Sequence, residues 1–329
     1  MSVASTSLPV TVADILDARK VVNRYLSPTP TLRPAGLSEE LGFNITLKCE
    51  NLQPIGAFKI RGGVNLLSQL SAEELERGVV TASTGNHAQS IAYAAKLVGT
   101  RAVIYMPENP NPMKAAAVRR LGGEIVEFGP DFDACNDEAR AHGEREGLRY
   151  IHPANEPLLV AGVGTYGLEL VEEEPHLDTV IVPVGAGSGV CGTATVFKAM
   201  SPSTKIIGVQ TENMSAAHDA FHQKQLVSYP GGQTWAEGLA TRVTFDMPFR
   251  MMQELVDDFV LVSENDMRLA MLDLLEAAHV VAEGAGAASL AAAKNMRESL
   301  QGQNVGLIVS GGNVTLETIR RAACSDESW

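Results

Sequence analysis

The chain alternates short, uninterrupted apolar runs with stretches of helical periodicity, and this alternation limits its fold more than any other feature. Val180-Ile181-Val182-Pro183-Val184 and Gly306-Leu307-Ile308-Val309 contain no polar side chain. Runs of that length without an outward-facing polar residue belong to strands covered on both faces, as in parallel sheets. Strands are expected at 46–50, 78–82, 101–106, 124–128, 179–184, 205–210 and 305–310. Helical patterns fall between them, at 88–98, 113–121, 133–146, 166–173, 190–200, 266–279 and 285–296. Strand–helix alternation of this kind implies α/β units with helices on both faces of the sheets. The 329 residues exceed one small core, so about two domains are expected. No Pro/Ser-rich linker divides them, which suggests that the chain crosses between domains more than once. The ends, residues 1–7 and 325–329, read as loose.

Composition excludes several classes. With 26 basic and 39 acidic residues the net charge is −13, which lacks the basic face that phosphate backbones require. The acidity reads as solubility. No apolar run approaches the roughly 20 residues needed to span a bilayer. The N-terminal stretch lacks the basic and apolar regions of a signal peptide. Cys49, Cys135, Cys191 and Cys324 show no CxxC spacing, so neither a zinc site nor a disulfide framework is expected, and the compartment reads as a reducing cytoplasm.

The 30 glycines cluster at four places beside the apolar runs. These are Gly56-Ala57-Phe58-Lys59-Ile60-Arg61-Gly62-Gly63, Ser83-Thr84-Gly85-Asn86-His87, Gly185-Ala186-Gly187-Ser188-Gly189 and Ser310-Gly311-Gly312-Asn313. The third follows the strongest strand and opens a helix, so converging backbone N–H groups and the helix dipole make an anion site suited to phosphate. The second has the same strand–turn–helix setting. In parallel sheets such turns lie at the carboxyl ends of strands, where ligands bind. Gly187 to Gly192 also matches G-x-G-x-x-G, and Glu212 lies about 20 residues on. An NAD-dependent oxidoreductase is therefore an alternative, although it leaves three glycine segments unexplained. Lys59 sits between Phe58 and Ile60. An amine in an apolar setting has a lowered pKa, which suits Schiff-base chemistry, while a surface lysine is the plain alternative.

These four segments, in this order and spacing, resemble the fold-type II pyridoxal-phosphate enzymes, and the chain is similar to their threonine/serine dehydratase and serine racemase branch. Leu47-Lys48-Cys49-Glu50-Asn51-Leu52-Gln53-Pro54, His152-Pro153, Ala161-Gly162-Val163-Gly164-Thr165 and Glu283-Gly284-Ala285-Gly286-Ala287 agree with it. The resemblance runs from about residue 15 to residue 319. It implies two parallel-sheet α/β domains of the tryptophan-synthase-β kind: a large cofactor-binding domain of 1–74 plus 156–329, and a small mobile domain of 75–155. It further implies that Lys59 carries the cofactor covalently, that Phe58 packs near its ring, and that Asn86 bonds the ring hydroxyl. Gly185, Ala186, Gly187, Ser188 and Gly189 would cradle the phosphate. Ser310 would face the pyridine nitrogen, and Glu283 would join the cofactor set. Ser83, Thr84, Gly85, Asn86 and His87 would hold the substrate carboxylate, with His152 beside them.

The activity implied is α,β-elimination from a β-hydroxy-α-amino acid, giving a 2-oxo acid and ammonia. Serine-type racemisation is the alternative within the family, and a homodimer is expected. Position 84 is alanine in typical threonine dehydratases and a second catalytic base, serine, in the racemase branch. Thr84 is thus a candidate weak acid/base or simply a loop residue. Val163 replaces a glutamine and Ile55 a threonine, which points either to a more apolar substrate, such as a β-aryl-serine like phenylserine, or to repacking behind the site. The racemase branch's metal positions correspond to Gln210, Met214 and Ala216, so no metal is expected. The chain ends about 16 residues after Asn313, and no regulatory domain is expected.

Overall fold

A computed structural model describes residues 8–324; both ends expected to be loose lie outside the described residues. Among the described residues ten strands form two sheets. They are β1 Thr31–Leu32, β2 Asn44–Cys49, β3 Val79–Ala82, β4 Ala102–Met106, β5 Glu124–Glu127, β6 Arg149–Tyr150, β7 Thr179–Pro183, β8 Lys205–Thr211, β9 Asp258–Val262 and β10 Asn304–Val309. One sheet has the order β1-β2-β10-β7-β8-β9 and the other β5-β4-β3-β6. All neighbours are parallel except the β1–β2 pair. Every residue of β3, β4 and β7 is buried, which is why those runs carry no alternation.

Seven strands appear where expected. The three unexpected ones are β1 and β6, each two residues long, and β9, whose Asp258 start is exposed. The helices differ more. The helix expected at 166–173 begins nine residues earlier, as Pro157–Glu173, and Lys59–Leu67 is helical although it contains Gly62-Gly63. In both segments glycine serves close packing, not turning. A Cβ on Gly162 would lie 2.5 Å from the Arg61 carbonyl oxygen, and one on Gly192 would lie 2.7 Å from the Gly164 nitrogen. The helices Lys59–Leu67, Pro157–Glu173 and Ser188–Met200 therefore approach backbone to backbone, and larger side chains would force them apart.

Beneath them lies an ion network that is buried except for a partly exposed edge at Glu169. Arg61 donates to Glu50 through Nε and Nη2 at 2.7 and 2.8 Å, and to Glu169 through Nη1 and Nη2 at 2.6 and 2.8 Å. Lys48 Nζ pairs with Glu169 at 2.7 Å. Two cations facing two anions leave the cluster neutral, as deep burial requires. The network ties β2 to the helix that begins with Lys59.

Candidate active site

The carboxyl ends of β3, β7 and β10 open into one cleft of about 890 Å³. The glycine-rich segments after these strands line it, together with Phe58 and Lys59. Four stretches distant in sequence thus meet, because parallel strands deliver their following loops to the same edge.

Lys59 is the first residue of its helix. Its Nζ donates to Ser188 Oγ at 2.8 Å and lies 5.2 Å from the centre of the Phe58 ring. Desolvation in the cleft wall lowers the amine from its ordinary value to about 8. Phe58 is held edge-on to Tyr166, with ring centres 6.0 Å apart, and its N–H donates to the Ser310 carbonyl at 3.1 Å.

The helix Ser188–Met200 starts without a side-chain cap. Its N-cap is Gly187, at φ +97°, a left-handed conformation that glycine adopts freely. The uncapped N–H groups of the first turn are orphan donors beside the cleft. A Cβ on Gly185 would lie 2.3 Å from the Gly238 carbonyl oxygen, so the turn has no room for a side chain there. Tyr166 Oη donates to the Gly189 carbonyl at 3.0 Å and accepts from Thr193 Oγ1 at 2.8 Å, which steadies the first helical turn.

On the opposite wall, the turn Ser83-Thr84-Gly85 follows β3 and leads into the helix Asn86–Val98, whose N-cap Gly85 also lacks a side-chain cap. All five residues from Ser83 to His87 line the cleft. Thr81 Oγ1 gives its only proton to the Ile151 carbonyl at 2.8 Å, so His87 Nε2–H must be the donor in their 3.1 Å contact. Burial, with Lys59 nearby, holds His87 down to about 3, hence neutral. Glu283, Ser310 and Asn313 complete the wall.

The structure also places the remaining candidates. His152 is not among the lining residues. Its Nδ1 accepts from the backbone N–H groups of Ala154 and Asn155, both at 2.9 Å, and its ring packs edge-on behind Phe245. It shapes a turn and supports a lining residue. The side chains of Val163 and Ile55 are buried in hydrophobic cores and do not line the cleft, so their identities report packing behind the site and not direct substrate contact. Glu212 is exposed and outside the cleft, and Gly192 packs on a neighbouring helix, which removes the dinucleotide reading of that glycine pattern. Gln210 Oε1 accepts from the N–H groups of Ala217 and His218 at 3.0 and 3.2 Å and so anchors a helix start. Burial pushes the Cys191 thiol up, far from a reactive thiolate.

The sequence did not single out the outer rim. Lys114 pairs with Glu237, and Arg242 pairs with Asp133 and, at 3.6 Å, with Asp131. Phe132, Trp235 and Phe245 line the cleft near them. No local pattern marks these residues, which come together only through the two sheets.

A buried amine that can be neutral near physiological pH, set against an orphan-donor helix start, defines a site for an anionic cofactor bearing an amine-reactive group. The family described as "Pyridoxal-phosphate dependent enzyme" matches residues 22–311, and the chain belongs to that family. It is 40% identical to the L-threonine ammonia-lyase of Thermotoga maritima over 95% of this chain and 78% of that protein. The processed form of threonine deaminase isoform 2 from Solanum lycopersicum superposes with a TM-score of 0.90 at 34% identity, over 94% of this chain and 86% of that one. Maize serine racemase gives 0.91 at 32% identity, over 96% and 97%. Both sheets therefore have the fold of pyridoxal-phosphate enzymes of type II.

Proposed function

We propose that the chain is a pyridoxal-phosphate-dependent ammonia-lyase that converts a β-hydroxy-α-amino acid, such as threonine, serine or phenylserine, to a 2-oxo acid and ammonia. The observation that carries this is the Lys59 amine, buried, lowered to about 8 and bonded to Ser188 at the cradle. The residues present fit the cofactor: the amine suits covalent attachment, the turn at 185–189 has space and donors for phosphate, and Ser310 offers a neutral hydroxyl. When bound there, the cofactor supplies a ring that withdraws electrons from the substrate's α-carbon. The uncapped start of the helix Asn86–Val98 and the Ser83 and Thr84 side chains hold the substrate carboxylate. Lys59 Nζ removes the α-proton, and neutral His87 adds no competing positive charge. The β-carbon loses its hydroxyl as water, and hydrolysis of the resulting enamine leaves ammonia and the 2-oxo acid.

The small unit, 75–155, is read as closing on the large one, 1–74 plus 156–329. In support, Lys114–Glu237 and Arg242–Asp133 link these two parts across the mouth of the cleft. Thr84 is read as the residue governing any racemisation, because it carries a hydroxyl and lines the same cleft as Lys59. A cytoplasmic location agrees with the free thiols of Cys49, Cys135 and Cys191, and no helix among the described residues is long and apolar enough to cross a membrane. A homodimer is read from the exposed apolar side chains Leu275, Val281 and Leu316, and light scattering of the purified protein tests it.

The activity is tested with a panel of β-hydroxy amino acids in deuterated water, scoring 2-oxo acid, ammonia and isotope in recovered amino acid. Elimination from at least one member, lost in Lys59→Ala, is expected. Inverted, deuterated amino acid without 2-oxo acid would replace lyase by racemase, and a colourless wild-type protein unresponsive to added pyridoxal phosphate would overturn both.

A further inference from the structure

Glu283 occupies the N-cap position of the helix Gly284–Asn295, yet its side chain makes no bond to that helix. Its Oε1 instead accepts from Asn86 Nδ2 at 2.7 Å. Asn86 Oδ1 accepts in turn from Asn313 Nδ2 at 2.7 Å, and the same Asn313 nitrogen donates to the Ile55 carbonyl at 2.8 Å. Four chain segments meet in this relay.

The direction of the relay is forced. A backbone carbonyl only accepts, so Ile55 fixes the nitrogen end of Asn313. Asn313 then presents its second N–H to Asn86, which must offer oxygen. The nitrogen end of Asn86 therefore faces Glu283; burial pushes that carboxyl up to about 7, and its Oε1 accepts from Asn86 whether or not the other oxygen carries a proton. That satisfies one of the two Asn86 N–H groups. The other has no acceptor among the described residues, and Asn86 lines the cleft. Gly311 makes the arrangement possible: a Cβ there would lie 2.3 Å from Glu283 Oε1 and 3.3 Å from Asn86 Nδ2. The Glu283 N–H donates to the Gly311 carbonyl at 3.0 Å, which fixes the backbone on which the carboxylate is mounted.

We propose that Glu283 and Asn313 are positioning residues that lock the Asn86 amide with its donor toward the cofactor, so that the site selects the ionised form of the ring oxygen. This rests on the reading of Asn86 as the partner of the ring hydroxyl. A donor aimed at the oxygen favours its anion, whereas an amide free to rotate can offer its carbonyl and favour the protonated form. Glu283 thus acts through Asn86 and is not itself a contact of the ring.

The test uses the absorption band of the bound cofactor, which reports protonation of the ring oxygen, and the cofactor dissociation constant, both measured without substrate. Glu283→Ala and Asn313→Ala are expected to shift the band toward the protonated form and to raise the dissociation constant about tenfold, or about 1.4 kcal/mol. Glu283→Gln keeps an acceptor oxygen and is expected to restore most of both properties. Wild-type bands and affinities in Glu283→Ala and Asn313→Ala, with Asn86→Ala impaired, would overturn the relay while sparing the role of Asn86. An unaltered Asn86→Ala protein would overturn both. A Glu283→Gln protein as impaired as Glu283→Ala would also overturn the relay, because charge and not acceptor geometry would then be the operative property.

Discussion

The amine of Lys59 and the hydroxyl of Ser188 are 2.8 Å apart, so the proposed covalent anchor touches the first residue of the helix proposed to cradle the phosphate. These residues are 129 positions apart in the chain.

That contact has a pH signature. Lys59 is lowered to about 8 from 10.5 by burial alone. The neutral amine is the nucleophile, so the rate at which apoprotein captures pyridoxal phosphate should rise with pH through about 8 and then level off. Stopped-flow absorbance measures it. Linkage adds a second effect. Between about 8 and 10.5 the unfolded chain holds a proton that the folded apoprotein has released, so apoprotein stability gains a contribution that grows with pH across that window. Lys59→Met should remove this contribution in urea titrations.

Gly185→Ala should damage the cradle specifically. The new Cβ would meet the Gly238 carbonyl oxygen at 2.3 Å, and backbone must move to admit it. A cost of about 1–3 kcal/mol is expected for such overpacking. It should appear as cofactor affinity about fivefold to a hundredfold weaker, measured by titration of the apoprotein. Unchanged affinity would show that the turn yields without cost.

Arg61→Met should be among the most destabilising single changes. It leaves the buried Glu50 carboxylate without its cation, while Lys48 still serves Glu169. Orphaning a buried charge costs about 3–5 kcal/mol. The double variant Arg61→Met/Glu50→Gln should recover part of that loss, because the uncompensated charge is gone. Urea unfolding of the apoproteins checks both.

The rim pairs should matter for closure more than for folding. Glu237 and Asp133 are more than half exposed, and such pairs contribute at most about 1 kcal/mol. Glu237→Gln and Asp133→Asn should each raise KM by no more than about fivefold and leave the melting temperature nearly unchanged. Added salt should reproduce the effect in the wild type and not in the double variant.

Most of the cofactor wall was legible because its residues lie in contiguous segments that follow apolar strands. A glycine turn between a strand and a helix has one physical use when it repeats at several strand ends, and Lys59 lies inside such a segment. The pattern reader fails where glycine does another job. Gly162, Gly164 and Gly192 look like turn residues, yet they let helices touch, and the helix Pro157–Glu173 starts nine residues before its apolar pattern predicts. His152 shows the same limit: a histidine before proline in a familiar motif is a lining candidate until its Nδ1 is seen accepting two backbone N–H groups.

The sequence by itself determined the α/β class and the family, and it marked Lys59 and the turn at 185–189 as the anchor and cradle proposed here, since each is written in local period or in a short contiguous motif. Only the tertiary structure decided that Val163 and Ile55 face cores, that Lys114 and Arg242 close the rim, and that Asn313, Asn86 and Glu283 form one directed relay. The reason is physical. A motif specifies what a residue can donate, accept or ionise, but the partner is supplied by another strand's loop, and the meeting of loops is set by sheet order and not by distance along the chain.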